Sequence, residues 1–214
     1  MRTQTFISSM VGVVAAVAVA GSANAAVTFD SFTVVQSETN GAGPGAGINW
    51  ASPASSQPIF GASGTRAAFA YLYGNSGTVT SSVSGGTATF SATKGGGAGL
   101  YYLGSAQDLT GYSFSLNLNM TGPTDSFIWE FKDAGGSYVD YIVNYTVAGT
   151  YTVDLSTLEG INPSTITGMA IAIYSPEAAC SATVSNFTYA PVPAPGAAAL
   201  IGLAGMVATR RRRN

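Results

Sequence analysis

Histidine is absent from the 214 residues, and cysteine occurs once, at Cys180. Histidine is the usual general base near neutral pH and the commonest zinc ligand. Its absence excludes Ser-His-Asp and Cys-His catalysis and ordinary zinc sites. A single cysteine excludes an intramolecular disulfide. Within AACSATV, beside small residues, Cys180 reads as a buried small hydrophobe rather than a reactive thiol. Charge is also scarce, at 8% of residues against roughly 25% in an ordinary soluble protein, while Gly, Ser, Thr and Ala dominate the middle of the chain. That composition suits an exported β-rich protein better than a cytoplasmic enzyme.

The few charges are unevenly placed. Between the two ends stand three basic residues, Arg66, Lys94 and Lys132, against ten acidic ones, a formal charge of −7. An acidic body does not attract nucleic acid, whose phosphates need clustered Lys and Arg, so no nucleic-acid partner is expected. The remaining basic residues are Arg2 and the run Arg210, Arg211, Arg212 and Arg213. That run directly follows an apolar stretch, which reads as membrane topology rather than phosphate binding.

Residues 1–25 carry Arg2, an apolar stretch from Met10 to Ala20, then small residues ending Ala23-Asn24-Ala25. This is the pattern of a secretory signal peptide cleaved before Ala26. At the other end, Gly196 to Thr209 is an uncharged run of 14 residues. A helix of that length reaches only about 21 Å, short of the roughly 30 Å hydrocarbon core, so it is a weak permanent anchor. With the arginines held on the cytoplasmic side it can stall in an inner membrane.

The ending from Val192 to Asn214, with Val192-Pro193-Ala194-Pro195, then the apolar run, then the arginine cluster, resembles the PEP-CTERM sorting signal of exported bacterial proteins. Ala194 stands where that family usually has Glu. The resemblance implies recognition by an exosortase, a membrane-embedded cysteine protease-transpeptidase, and cleavage near Pro193 to Pro195. It also implies transient residence in the inner membrane and an association with exopolysaccharide and biofilm.

In the body, residues 26–190, strict alternation is the main signal. Phe114, Leu116, Leu118 and Met120 point one way, with Ser113, Ser115, Asn117 and Asn119 opposite. Phe127, Trp129 and Phe131 form another stripe, followed by the turn sequence Lys132-Asp133-Ala134-Gly135-Gly136 and a returning strand with Val139 and Tyr141 on one face. Further strands are expected at TYTVDL, GMAIAIY, ATVSNFTY, AVTFDSFTVV, RAAFAYLYG, GTATFSAT and AGLYYLG. Nine or ten short strands predict an all-β fold, an antiparallel β-sandwich of jelly-roll type, flanked by the signal helix and the sorting helix. Most segments are too short for a membrane barrel. Residues 37–65, rich in Gly, Ala, Ser and Pro, are expected to form a long loop.

The stretches Gly61 to Arg66, TATFSAT, Gln107 to Tyr112, YTVDLSTLEG, PSTITGMAIAI and ATVSNFTY together resemble the jelly-roll domain, akin to carbohydrate-binding and galactose-binding-like modules, that recurs in PEP-CTERM proteins. Ser185 precedes Asn186 where related modules often carry an Asp.

Candidate chemistry is sparse. Trp50 and Phe60 either latch the long segment onto the core or, for Trp50, present a ring on which a sugar stacks. The polar-face residues Asn117, Asn119, Glu130 and Asp140 are the accompanying candidates for contact with extracellular polysaccharide. Glu130 and Asp140 can face one another across the Gly135-Gly136 hairpin, which is also the one arrangement open to a carboxylate-pair glycosidase. No E-x-D-x-E cluster exists, and no enzyme activity is expected. No cofactor is expected either, although a structural calcium held by Asp30, Glu38 and Asp125 is an open alternative without any D-x-D-x-D-G loop. The expected role is adhesive or structural, at the cell surface or in an extracellular matrix. A purely structural protein without a ligand is the alternative, and a glycosidase stands behind it.

Overall fold

The structure is a computed structural model that describes residues 25–41, 47–55, 60, 64–72, 77–93, 95–122, 127–142, 147–175 and 178–192. The segment up to residue 24, expected to be a signal peptide, and the segment from residue 193, expected to be a sorting tail, lie outside the described residues with their expected helices. Ala25, Ala26 and Val192 fall at the borders of the body. Among the described residues no helix is long and apolar enough to cross a membrane.

The described body is all-β, with two antiparallel sheets in a jelly-roll-like sandwich. The first sheet contains β1 (Val27–Asp30), β2 (Gln36–Gly41), β6 (Thr78–Ser84), β7 (Thr87–Ala92), β9 (Tyr112–Thr121), β12 (Gly149–Asp154) and β14 (Cys180–Pro191). The second contains β3 (Gly47–Trp50), β4 (Ala54–Ser55), β5 (Thr65–Leu72), β8 (Gly96–Gln107), β10 (Phe127–Asp133), β11 (Tyr138–Ile142) and β13 (Ile166–Ser175). The orders are β12-β9-β14-β7-β6-β2, with β1 on β14, and β11-β10-β13-β8-β5-β3, with β4 on β5. Helical structure among the described residues is confined to 3-10 turns, at Leu155–Thr157, at Pro163–Thr165 and at Phe60.

Residues 37–65 are therefore not one long loop: they contain most of β2 and all of β3 and β4. These short edge strands lack the apolar alternation of buried strands, since Gly47 to Trp50 is exposed throughout. Backbone pairing to β5 and β6 holds them, not hydrophobic periodicity. The strand β6 was also unexpected, because Ser and Thr fill most of it. Its partner β7 follows through Gly85-Gly86, both at positive φ, the conformation a two-residue hairpin requires and glycine adopts without strain.

Between the sheets the inward stripes interlock. Phe29 lies 4.5 Å from Phe187, 4.9 Å from Tyr102 and 5.4 Å from Phe114, centroid to centroid. Trp129 lies 5.7 Å from Phe187. Each such pair contributes about 0.5–1.5 kcal/mol beyond the burial of its area. Phe60 and Cys180 are buried in the same core, so Phe60 is a core ring and Cys180 a small hydrophobe. Asn186 sits in β14 at φ 50°, where the register against β9 shifts between Ser185 and Thr188. Asn tolerates that left-handed backbone, so the residue serves a bulge.

One polar network crosses the sandwich interior. Arg66, 1% exposed, donates through Nη1 to Asp30 at 2.7 Å and through Nε to Gln36 at 2.8 Å, and Nη2 donates to the Val34 carbonyl. The Tyr102 hydroxyl donates to Asp30 at 3.1 Å, and Gln36 donates to the Ser52 and Arg66 carbonyls. Burial above all, then the Asp30 charge, holds the Tyr102 phenol well above its ordinary range, with Arg66 pulling the other way.

Candidate functional site

Strand register builds a trough on the outer face of the second sheet. Alternation turns Phe127, Trp129 and Phe131 inward, so Ile128, Glu130 and Lys132 face out. One row across the sheet runs Asp140, Glu130, Ala170, Tyr101, Ala67. The next runs Ile142, Ile128, Ala172, Gly99, Phe69, Trp50. A third places Tyr174, Gly97, Tyr71 and Ile48 side by side. The middle of these rows is therefore Ala170, Ala172, Gly97 and Gly99, and larger side chains rise on both sides.

The glycines are required there. A Cβ on Gly97 would come within 2.3 Å of the Tyr71 ring, and one on Gly99 within 2.4 Å of the Ile171 carbonyl and 2.8 Å of the Phe69 ring. With glycine at both positions the rings lie close over the β8 backbone. Beneath this floor, Ser81 of the opposite sheet donates to the Gly99 carbonyl at 2.8 Å. Phe69 and Tyr71 stack at 11°, Tyr71 and Tyr174 at 26°, and Trp50 lies 5.3 Å from Phe69 and 5.9 Å from Tyr101. The result is a cleft of about 780 Å³ lined by these rings, by Ile128 and Tyr138, and by Glu130 and Asp140. That volume lies in the range of pockets that take small organic ligands.

Trp50 is 48% exposed, so one part of the ring packs on Phe69 and Tyr101 and the rest faces solvent. It does not latch into the core as Phe60 does. Glu130 and Asp140 are direct cross-strand partners, as the hairpin suggested. The hairpin is fixed by Asp133, whose carboxylate accepts from the Ser137 amide at 2.9 Å and the Asn162 amide at 3.0 Å. Burial first, then the charge of Asp140, raises the Glu130 carboxyl above its ordinary range, while Lys132 lowers it. Burial, then Glu130, then Tyr138, which also hydrogen-bonds it, push the Tyr101 phenol well up. The Lys132 ammonium stands 5.1 Å from the Tyr138 ring centroid.

The structure brings Trp50, Glu130 and Asp140 together and separates them from Asn117 and Asn119. The two asparagines line a different recess of about 500 Å³ on the outer face of the first sheet, with Thr150, Thr183 and Ser185. Asn117 already accepts from the Thr150 hydroxyl at 2.7 Å. The alternation placed them correctly on the polar face of their own strand, but that strand belongs to the other sheet. Tyr101, Tyr71, Phe69 and Tyr174 were not anticipated as site residues. Their signal was present as outward aromatics in strands whose neighbours at the same level are Gly and Ala.

For calcium, Asp30 is withdrawn by its ion pair with buried Arg66 and by the Tyr102 hydroxyl. Asp125 lies outside the described residues, and Glu38 stands on β2. Among the described residues no group of three acids or cysteines gathers as a metal site.

No family model matches this sequence, and no curated protein does. Solved structures do resemble it in fold. A family 11 carbohydrate-binding module of a cellulosomal cellulase of Clostridium thermocellum is similar over 78% of this chain and 95% of its own, at 13% identity and a TM-score of 0.43. A family 29 carbohydrate-binding module complexed with mannohexaose is similar over 52% of this chain and 74% of its own, at 10% identity and a TM-score of 0.40. An exo-beta-agarase matches over 50% of this chain, which spans only 20% of that enzyme, at 13% identity and a TM-score of 0.42.

Proposed function

We propose that this chain is an exported, non-enzymatic β-sandwich protein that binds glycan through the cleft on the outer face of its second sheet. The observation that carries this reading is the trough itself: a Gly and Ala floor with the Trp50, Phe69, Tyr71 and Tyr101 rings on one side, two carboxylates on the other and the Tyr174 ring at one end. A pyranose has apolar C–H faces and a polar hydroxyl edge. Aromatic rings cover the former, and acceptors such as Glu130 and Asp140 receive hydrogen bonds from the latter. Catalysis is not part of the reading. A carboxylate-pair hydrolase needs acids flanking the scissile bond, whereas Glu130 and Asp140 stand side by side on one wall, on adjacent strands.

In this reading the leader ending at Ala25 directs export, and the Val192 to Arg213 tail is an address processed by an exosortase-type enzyme after a transient stay in the inner membrane. The mature body then works at the cell surface or in an extracellular matrix, as an adhesive or structural component of exopolysaccharide. Intact mass of the protein from envelope and medium tests the processing: a product from Ala26 to the Pro193 region supports it, and one that retains Arg210 to Arg213 overturns it. A glycan array probed with the wild type and Trp50→Ala tests the binding. Signal that depends on Trp50 supports it; no signal, or signal unchanged by the substitution, overturns it. Release of reducing ends from a bound glycan would turn the reading toward a hydrolase.

A further inference from the structure

Within the cleft, the placing of charge narrows the class of glycan. Glu130 and Asp140 are direct cross-strand neighbours, an arrangement that destabilises a sheet unless something discharges it. Two basic residues are described in the body, and neither lines the cleft. Arg66 is buried on the inner side with Asp30. Lys132 shares β10 with Glu130 and its charge offsets that carboxylate in part, but its ammonium is held against the Tyr138 ring and it does not itself line the cleft. Among the described residues, the cleft lining therefore combines two acids and no cation with several aromatic faces. Trp50 and Tyr101 are the ring types that attract an ammonium, and the carboxylates add directional acceptors.

We propose, on the basis of the glycan-binding reading, that the cleft selects polysaccharides bearing free amino groups, with a sugar ring over the Gly97, Gly99, Ala170 and Ala172 floor and its ammonium against Glu130 and Asp140. The spacing suits this pose. Glu130 and Tyr101 are separated by the single strand that carries Ala170, so their backbones stand roughly 10 Å apart, leaving one small residue between acid and ring. Uronic or sulfated glycans are repelled by the same pair. N-acetylated or unsubstituted sugars meet the rings but leave the two carboxylates unneutralised.

The test is calorimetric titration of the body, residues 26–192, purified from the full chain after processing, with a glucosamine hexamer, its fully N-acetylated counterpart and cellohexaose, at neutral pH and moderate salt. The wild type is expected to bind the amine hexamer about tenfold more tightly than either uncharged hexamer. Glu130→Gln with Asp140→Asn should erase that preference. A charge-matched control, Glu38→Gln with Glu159→Gln, should keep it, which separates a local site from the general attraction of an acidic protein for a cation. Near-ultraviolet circular dichroism checks that each variant is folded, and the isosteric Glu130→Gln alone replaces the double variant should that one misfold. No affinity for the amine hexamer, equal affinity for the uncharged hexamers, or a preference that survives the double substitution overturns the proposal. Trp50-dependent binding without amine preference removes this inference and leaves glycan binding standing; no glycan binding of any kind removes both.

Discussion

The two outward faces of the sandwich are made by the same strand geometry and differ in almost everything else. On the first sheet, one row runs Thr39, Thr80, Ser91, Ser181, Thr121 and the next Ser37, Ser82, Thr89, Thr183, Asn119. The side chains of these rows are uncharged, and short polar groups on this face satisfy one another: Thr121 with Ser181 at 2.7 Å, and, on β9 and β12, Ser115 with Thr152 at 2.7 Å and Thr150 with Asn117 at 2.7 Å. On the second sheet the centre of the face is Gly and Ala, and the margins are aromatic or acidic. Side chains of even length cover a sheet uniformly, whereas a lane of small residues between rings makes a trough. The recess around Asn117 is a gap among short polar groups, and the cleft at Trp50 is a hollow with aromatic rings and two adjacent carboxylates.

That contrast can be broken from underneath, where the largest effect is expected. Arg66 and Asp30 tie β1, β2 and β5 together inside the sandwich, so their loss should disable both faces at once. Arg66→Met leaves the Asp30 carboxylate buried without its counter-ion, at a cost of about 3–5 kcal/mol in urea unfolding. Pairing it with Asp30→Leu should restore most of that stability, because the penalty is the orphaned charge. A cost below about 1 kcal/mol for the single variant would mean the ion pair is not what fixes these strands.

The next largest effect separates the faces. Gly99→Val drives a side chain into the Ile171 carbonyl, Ala172 and Phe69, with an expected cost of about 1–3 kcal/mol and loss of glycan binding as the trough fills. Thr89→Val, at an exposed position on the opposite face, should cost less than about 0.5 kcal/mol and leave binding unchanged. Smaller in stability but decisive for function is Trp50→Ala. With the ring half in solvent on an edge strand, unfolding should shift little while affinity falls at least tenfold, the scale of a stacking anchor. Asn117→Ala with Asn119→Ala should not change affinity. Equal losses of affinity from Trp50→Ala and from the double asparagine variant would erase the distinction between the faces.

How much of this was legible follows from what alternation encodes. Phe114, Leu116 and Leu118, or Phe127, Trp129 and Phe131, announce strands and their buried side from the chain alone, and the Gly135-Gly136 turn sets Glu130 opposite Asp140. Alternation says which side of its own strand a residue occupies, but not which sheet the strand joins. Asn117 and Glu130 therefore looked like members of one polar face and are not. The edge strands within residues 37–65 were hidden because their stability comes from backbone pairing, and Arg66 because a charge in RAAFAYLYG has no apolar signature of burial. The trough was hidden for a further reason. Gly97, Gly99, Ala170 and Ala172 acquire meaning only when β8 and β13 are in register, a long-range fact that no local pattern carries.

The smallest effect is the one that best distinguishes a binding wall from a structural one. Glu130 is half-buried and faces Asp140, with Lys132 on its own strand and Tyr101 and Tyr138 on the neighbouring ones. Its carboxyl is raised by burial and by Asp140, so the native state holds that proton to higher pH than the unfolded chain does. Stability therefore falls as pH rises through the window between the ordinary glutamate value and the raised one, and above that window the penalty is complete. Glu130→Gln removes it, and thermal unfolding at neutral pH should shift upward by about 1–3 °C. That gain should vanish once the pH drops below the ordinary glutamate range, where the wild-type side chain is also neutral. A structural acid would lose stability on neutralisation. A variant that is more stable and binds an amine-bearing glycan less tightly marks a charge kept at a cost to the fold because the ligand needs it.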